Sequence, residues 1–213
     1  MATTAGEKPL RADAQRNHDR IITAAHEALA EHGLDVSMEE IARRANVGPA
    51  TLYRRFPSKQ LLLRAILDAR LDELEPRITA ACAAADPWEG LVAGMRAVLD
   101  AQARHMALLQ ALAEAGVLPK LKAELHARVF TPLNEVFARA QDAGLVRGDL
   151  APAELPMLIR MVATTIGIGS WERYLALLAD SLRTSGKTAL PPALINHAPA
   201  GCAAPRRADA SRG

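Results

Sequence analysis

Residues 41–63, IARRANVGPATLYRRFPSKQLLL, decide the fold class of this chain. An apolar pattern with helical spacing ends just before Asn46, a residue type that tolerates a left-handed backbone. Gly48 then permits a tight turn, and Pro49 suits the first turn of a new helix because its missing N–H is not needed there. The stretch therefore predicts two short helices joined by a tight turn, the second from about Pro49 to Arg55.

The residues before this stretch predict where its first helix begins and what packs against it. Ser37 can cap that helix, and Glu40, three residues later, completes a capping-box pattern. An earlier helix is expected from about Asp13 to His32, with Gly33 as its C-terminal stop. The apolar positions of the two helices repeat at helical spacing: Ile21, Ile22, Ala25 and Leu29, then Met38, Ile41, Ala42 and Ala45.

The rest of the chain also favours helices. Ser58 can cap a long fourth helix that joins two domains until Pro76 kinks or breaks it, and Asp86 begins another. Pro132 is expected to kink a later helix. Half of the residues are apolar, only 3% are aromatic, and strand-like runs are missing. An all-α fold is therefore predicted, with its last two helices over about 152–168 and 170–183.

A local basic segment occupies positions 43–60, although the formal net charge of the whole chain is only +2. The segment has no acidic residue, and its basic residues are Arg43, Arg44, Arg54, Arg55 and Lys59. On sequence grounds it could be an ordinary solvated helical face. The turn chemistry and the spacing favour a helix-turn-helix, whose second helix places its N-terminus in the major groove of DNA.

Residue types within the second helix of this motif suggest separate tasks. The small residues at its start would let the backbone approach the bases, and Thr51, Tyr53 and Lys59 could reach phosphates. Leu52 and Phe56 would anchor the helix in the core.

The quoted stretch resembles the DNA-binding segment of the TetR family of transcriptional regulators. The likeness is strong over about residues 13–75. It continues in AGLVRGDL at 143–150, which resembles a family connector, and in WERYLALLADSLR at 171–183, which resembles the SbtR-type subset. The sequence departs from the usual pattern at Asn46, Gly48 and Arg55, and these departures bear on base specificity rather than on fold.

The resemblance implies a set of DNA contacts. Thr51, Tyr53 and Lys59 would hold the DNA backbone, and Ser37 would contact a phosphate. The resemblance also implies DNA contacts for Arg44 and Arg54, but less strongly. The residues nearest the bases would be Gly48, Pro49, Ala50 and Arg55.

A C-terminal bundle that dimerises and encloses a small effector is also implied by the resemblance. The apolar stripe expected at the dimer interface consists of Leu155, Ile159, Val162, Ile166, Trp171, Leu175, Leu178 and Leu182; on sequence grounds, intramolecular core is an equal alternative. The pocket candidates, each of which could instead be simple core, are Met95, Leu99, Met106, Leu109, Phe130, Phe137 and Met161.

The function expected from these features is that of a sequence-specific transcriptional regulator, a repressor released from DNA by its effector. Its partners would be a near-palindromic DNA operator, a second copy of the chain and an unknown small molecule. The alternative is an all-helical ligand-binding or protein-interaction module that does not bind DNA. An enzyme is not expected, since no catalytic, metal-ligating or cofactor-binding motif is found; a helical bundle using His and Glu as acid and base is a weaker possibility.

Four segments are expected in the chain. Residues 1–12 would be a disordered arm, 13–58 the helix-turn-helix domain, 59–184 the ligand-binding and dimerisation domain, and 185–213 a disordered tail rich in Pro, Ala and Arg. The two cysteines lie far apart, and the N-terminus lacks a signal-peptide pattern. A cytoplasmic protein without a membrane anchor is therefore expected.

Overall fold

The computed structural model describes residues 7–114, 116, 123–184 and 188–191. In that part of the chain no strand is found, and an isolated bridge pairs Val146 with Arg183. The all-α prediction is confirmed. The described α-helices are α1 Glu7–His32, α2 Met38–Arg44, α3 Pro49–Arg55, α4 Lys59–Cys82, α5 Pro87–Arg104, α6 Met106–Glu114, α7 Thr131–Asp142, α8 Leu155–Ala163 and α9 Trp171–Leu182.

Helix α1 begins at Glu7, earlier than the predicted start at about Asp13. Pro9 falls in its first turn, where the backbone N–H has no partner within the helix, so proline is tolerated there. The prediction of a disordered arm was therefore wrong for residues 7–12, and residues 1–6 lie outside the described chain.

The first three helices and the start of α4 form a compact unit, called the head below. Helix α1 packs against α2 and α4, and α3 packs against α2. A fully buried Leu or Ile stabilises such a core by about 1.5–3 kcal/mol relative to an exposed one. The head buries such side chains from all four helices: Ile21, Leu29, Ile41, Leu52, Leu62, Leu63 and Ile66.

Helix α4 continues through Pro76 to Cys82, so of the two predicted effects of this proline, a kink or a break, the break does not occur. Pro76 cannot donate a hydrogen bond to the carbonyl of Asp72, but the buried face runs on unbroken past it. That face includes Leu71, Leu74, Ile78 and Ala81. Packing of α4 against α5 thus compensates for the lost bond.

Helix α5 is the centre of the C-terminal bundle, since α4, α7, α8 and α9 all contact it. It begins as predicted, with Asp86 Oδ1 accepting a hydrogen bond from Trp88 N at 2.8 Å. Two glycines allow α5 to lie close to α4 and α7. A Cβ on Gly90 would lie 2.5 Å from the Ala81 carbonyl oxygen of α4, and one on Gly94 would overlap Leu133 of α7.

The predicted distortion at Pro132 takes the form of a single π turn, His126–Phe130, directly before α7. Pro132 has no N–H, and its ring would crowd the carbonyl four residues earlier in a regular helix. A wider turn relieves this conflict.

Helix α8 ends at Ala163, before the predicted end at Ile168. The hydroxyls of Thr164 and Thr165 donate to the carbonyl oxygens of Met161 and Val162, each at 2.7 Å, and so favour a turn over a continued helix. Gly167 then adopts φ +87°.

The connector at 143–150 holds the start of the predicted tail. Arg147 Nη2 donates to the Thr188 carbonyl at 2.7 Å, and the Leu190 N–H donates to Asp149 Oδ2 at 3.1 Å. The prediction of a disordered tail is therefore wrong for 188–191, while 185–187 and 192–213 lie outside the described residues.

Buried side chains form one cluster from Ile21 to Leu182, so no gap in packing marks the proposed boundary at residue 58. Within the described ranges, each helix is too short or too polar to cross a lipid bilayer.

Candidate DNA-binding surface

The turn between α2 and α3 has the predicted chemistry. Ser37 Oγ accepts a hydrogen bond from Glu40 N at 3.0 Å and so caps α2. Asn46 adopts φ +53°, in the left-handed region, and the Val47 N–H donates to the Ala42 carbonyl at 3.0 Å. Gly48 has an ordinary φ of −66°, which places the turn's only left-handed residue at Asn46.

Helix α3 has one anchored side and one exposed side. Leu52 and Phe56 are buried against the rest of the head, as predicted. Thr51 is half-buried at the border. Six of the predicted DNA contacts are exposed on α3 or directly before it: Gly48, Pro49, Ala50, Tyr53, Arg54 and Arg55.

The basic segment is partly neutralised by acids that lie just before it in sequence. Glu40 accepts hydrogen bonds from Arg43 at 2.7 Å and from Arg44 at 2.8 Å, and these bonds lower its pKa to about 2. Arg44 also pairs with Glu31 at 2.6 Å and contacts His32 at 2.9 Å. The predicted DNA contact Arg44 is therefore already committed within the head.

Tyr53 and Lys59 are also engaged within the head. The Tyr53 hydroxyl donates to Glu39 Oε1 at 2.9 Å. Lys59 Nζ donates to the carbonyl oxygens of Leu34 and Val36, which lie between α1 and α2. Burial lowers the pKa of Lys59 below its ordinary value. Because an ammonium group has three N–H donors, one remains available for a phosphate.

The predicted pocket residues differ widely in exposure. Met95, Leu99 and Phe137 are fully buried, Leu109 and Phe130 are half-buried, and Met106 is exposed. Met161 is 65% exposed and is therefore no part of an enclosed pocket. An open groove of about 660 Å³ contains none of the seven; it is lined by Asp72, Glu75, Pro76, Thr79, Ala80 and Ala83. The effector site stays a prediction.

Most of the predicted dimer stripe is intramolecular core. Six of its eight members are buried within a single chain, which favours the intramolecular-core alternative over the interface: Leu155, Ile159, Val162, Trp171, Leu175 and Leu182. Ile166 and Leu178 are half-buried. The opposite side of the same two helices, and the turn that joins them, leave apolar residues exposed. This outer α8–α9 face consists of Met157, Met161, Ile168, Tyr174 and Leu177.

Sequence reasoning missed Glu39, Glu31 and the outer α8–α9 face. The face carried a detectable signal, because Met157 and Met161 follow i, i+4 spacing on a helix whose other side is also apolar. The contact between Glu39 and Tyr53 joins positions 14 apart, and no local pattern predicts it. The described residues contain no cluster of three or more His, Cys, Asp or Glu side chains that could hold a metal ion.

Two sequence profiles match the chain. One, described as bacterial regulatory proteins, tetR family, matches residues 21–66. The other, described as the C-terminal domain of SbtR-like transcriptional regulators, matches residues 86–184. The first covers the helix-turn-helix, and the second covers α5 to α9.

Individual proteins agree with the profiles. The HTH-type transcriptional repressor KstR of Mycolicibacterium smegmatis is 32% identical over 142 residues, which are 65% of this chain and 70% of that protein. An HTH-type transcriptional regulator of Staphylococcus aureus is 42% identical over 71 residues, 32% of this chain and 37% of that protein. The crystal structure of a TetR regulatory protein from Mycobacterium vanbaalenii is 36% identical, covers 83% of this chain and all of that one, and has a TM-score of 0.63.

Proposed function

Because the chain belongs to the TetR family of transcriptional regulators, we propose that it is a repressor that binds a near-palindromic operator as a dimer and leaves it when a small effector binds. Its function as a DNA-binding regulator follows from the family, whose members are not enzymes. Repression, the effector and the form of the operator are the proposed parts. Acting on DNA, the protein would work in the cytoplasm.

The exposed side of α3 is the proposed reading surface. Small residues at its start, Gly48 to Ala50, allow the backbone close to the groove, and Arg55 can reach a base edge. The DNA backbone would be contacted by Thr51, Tyr53, Arg54 and Lys59. Ser37 would add a phosphate contact from the start of α2. Arg44 would contribute only if its acid partners released it. In the dimer, two such helices would enter major grooves about 34–36 Å apart.

The outer α8–α9 face is the proposed dimer interface. It places four large apolar side chains on two helices that pack against each other, and a fifth, Ile168, on the turn between them. A twofold dimer would bury ten such side chains, and exposed apolar area of this kind marks protein contact sites. Dimerisation through the last two helices is thus kept, with the outer side of those helices replacing the predicted stripe.

Effector binding would be signalled through α4. Arg128 Nη2, in the π turn, binds Asp72 at 2.6 Å and Glu75 at 2.5 Å on α4, and Arg64 on α4 binds Glu124. The proposed pocket uses buried Met95, Leu99 and Phe137 as its floor, with Met106, Leu109 and Phe130 near its entrance. An effector releases DNA only if it binds better to the conformation that fits the operator poorly.

Operator selection followed by effector release tests the proposal. Purified protein would be mixed with random duplexes, and the enriched sequence is expected to contain two inverted half-sites. A compound screen would then follow loss of fluorescence anisotropy from the selected duplex. Failure to retain any duplex in dilute salt would contradict the function, and enrichment of a single half-site would contradict the dimeric mode.

A further inference from the structure

The Tyr53 hydroxyl is held by a carboxylate on the surface proposed to meet DNA. It donates to Glu39 Oε1 at 2.9 Å, and both side chains are exposed. The same bond raises the pKa of Tyr53. The pKa of Glu39 is lowered, first by a hydrogen bond from its own backbone N–H and then by Tyr53. At neutral pH the pair is a neutral phenol and a charged carboxylate.

A phenol has one O–H to donate, and a DNA phosphate offers only acceptor oxygens. While the Tyr53 O–H donates its hydrogen bond to Glu39, it cannot donate to a phosphate. Contact with the DNA backbone therefore requires Tyr53 to leave Glu39, which places a carboxylate without its phenol partner beside the phosphates.

The charge of Glu39 is unlike that of the other acids near α3. Glu31 and Glu40 are neutralised by Arg44, and Glu40 also by Arg43. In the described part of the chain, no ion pair joins Glu39 to a Lys, Arg or His. Of these three acids, Glu39 is therefore the one without a cationic partner.

We propose that Glu39 is a positioning residue that competes with DNA phosphate for the Tyr53 hydroxyl and so weakens binding of the head to every duplex. This inference rests on the proposed contact between Tyr53 and the DNA backbone. Because the released bond is the same on any sequence, Glu39 sets the level of affinity, and base preference is left to the start of α3 and Arg55.

Two variants of Glu39 separate its charge from its hydrogen bond. Glu39→Gln removes the charge but keeps an oxygen that can accept from Tyr53, whereas Glu39→Ala removes both. A like charge about 4 Å from a phosphate costs about 1 kcal/mol in water, which is about fivefold in affinity for each head. Because a dimer has two heads, both variants are expected to bind duplex DNA up to about 25-fold more tightly.

Tyr53→Phe, made in each background, tests the competition itself. In the wild-type background, Tyr53→Phe is expected to weaken DNA binding by about twofold, because a phosphate can accept from the hydroxyl only after the hydroxyl has left Glu39. In Glu39→Ala the hydroxyl is free to donate, and its loss is expected to cost about tenfold. This difference is a coupling that a merely structural role of Glu39 would not produce.

The measurement is fluorescence anisotropy of two labelled duplexes at about 100 mM salt, where phosphate contacts are still strong. One duplex is that selected by the wild-type protein, and the other has a scrambled sequence. Glu27→Gln is the matched control: it removes the same charge from an exposed position of α1 and is expected to bind as wild type does. Thermal unfolding verifies that each variant is folded.

The outcomes distinguish this inference from the function it rests on. If wild type binds neither duplex, the proposed function fails and the inference with it. If wild type binds but the Glu39 variants bind equally or more weakly, only the role of Glu39 is overturned. If Tyr53→Phe has the same effect in wild type and in Glu39→Ala, the competition for the hydroxyl is overturned.

Discussion

A charge placed on the outer α8–α9 face should separate the dimer without unfolding the chain. Met161 is 65% exposed and Leu177 57% exposed in one chain, so Met161→Glu or Leu177→Glu changes a surface position, for which the free energy of unfolding usually moves by less than about 0.5 kcal/mol. In a dimer that covers this face, each protomer loses about 1–2 kcal/mol of apolar burial and buries an unpaired carboxylate. Twofold symmetry doubles the effect to at least about 4 kcal/mol, a thousandfold or more in Kd.

Sedimentation equilibrium of wild type and the two variants measures this directly. Leu61→Glu is the matched control, because Leu61 is 52% exposed on α4 and lies outside the face. Wild type and the control are expected to sediment as dimers, and both face variants as folded monomers with unchanged helical circular dichroism.

Retention of the dimer by both face variants would refute the assignment of this face. Unfolding of either variant would show that its side chain is needed inside the single chain, contrary to its exposure. A weaker but measurable dimer in one variant would place that residue at the rim of the interface, where water screens the charge.

Three further predictions concern the head and its junction with the bundle. Arg55→Gln should relax preference at one half-site position by about 1–3 kcal/mol, seen in operator selection; uniform weakening on all sequences would mean a phosphate contact instead. Lys59→Met should lower the free energy of unfolding by about 1–3 kcal/mol in urea, because two carbonyls lose their donor, and an unchanged midpoint would contradict that role. His26 Nε2 lies 3.0 Å from His105 Nδ1, and burial, followed by the positive charge of a protonated His26, lowers the pKa of His105 to about 4. As the pH falls through about 6.5, the unfolded chain takes up a proton that the folded chain does not. The free energy of unfolding should therefore be highest above about pH 6.5 and fall by about 1–2 kcal/mol towards pH 4. His105→Gln should remove most of this dependence of stability on pH.

The helices of the head were predictable because each boundary rests on local chemistry. Ser37 as a cap, Asn46 as a left-handed residue and Pro49 as a first-turn residue act on their own neighbours, and the structure has all three in those roles. Errors arose where packing outweighed a local signal. Pro76 is a helix breaker locally, but the buried face of α4 continues on both sides of it.

The candidate site was less predictable because charge pairing acts over distance. The segment 43–60 has no acid of its own, yet Glu31 and Glu40, both outside it, neutralise Arg44. The side of α8 and α9 that enters the core was hard to predict for a related reason: both helices are apolar on two sides, and periodicity cannot tell which side meets the chain's own core. Only the packing of both helices against α5 decides this.

Packing also limits how an effector could reach the DNA. Helix α4 is shared, since Leu62 and Ile66 are buried near its start and Leu74 and Ile78 beyond its middle. An ion pair with an exposed partner, as between Arg128 and Asp72, contributes at most about 1 kcal/mol. Moving a two-state equilibrium from 1:99 to 99:1 requires about 5.5 kcal/mol of differential binding. The ion pairs between α4 and the π turn are therefore too weak to carry the proposed release by themselves, and we expect the continuous buried face of α4 to transmit most of it.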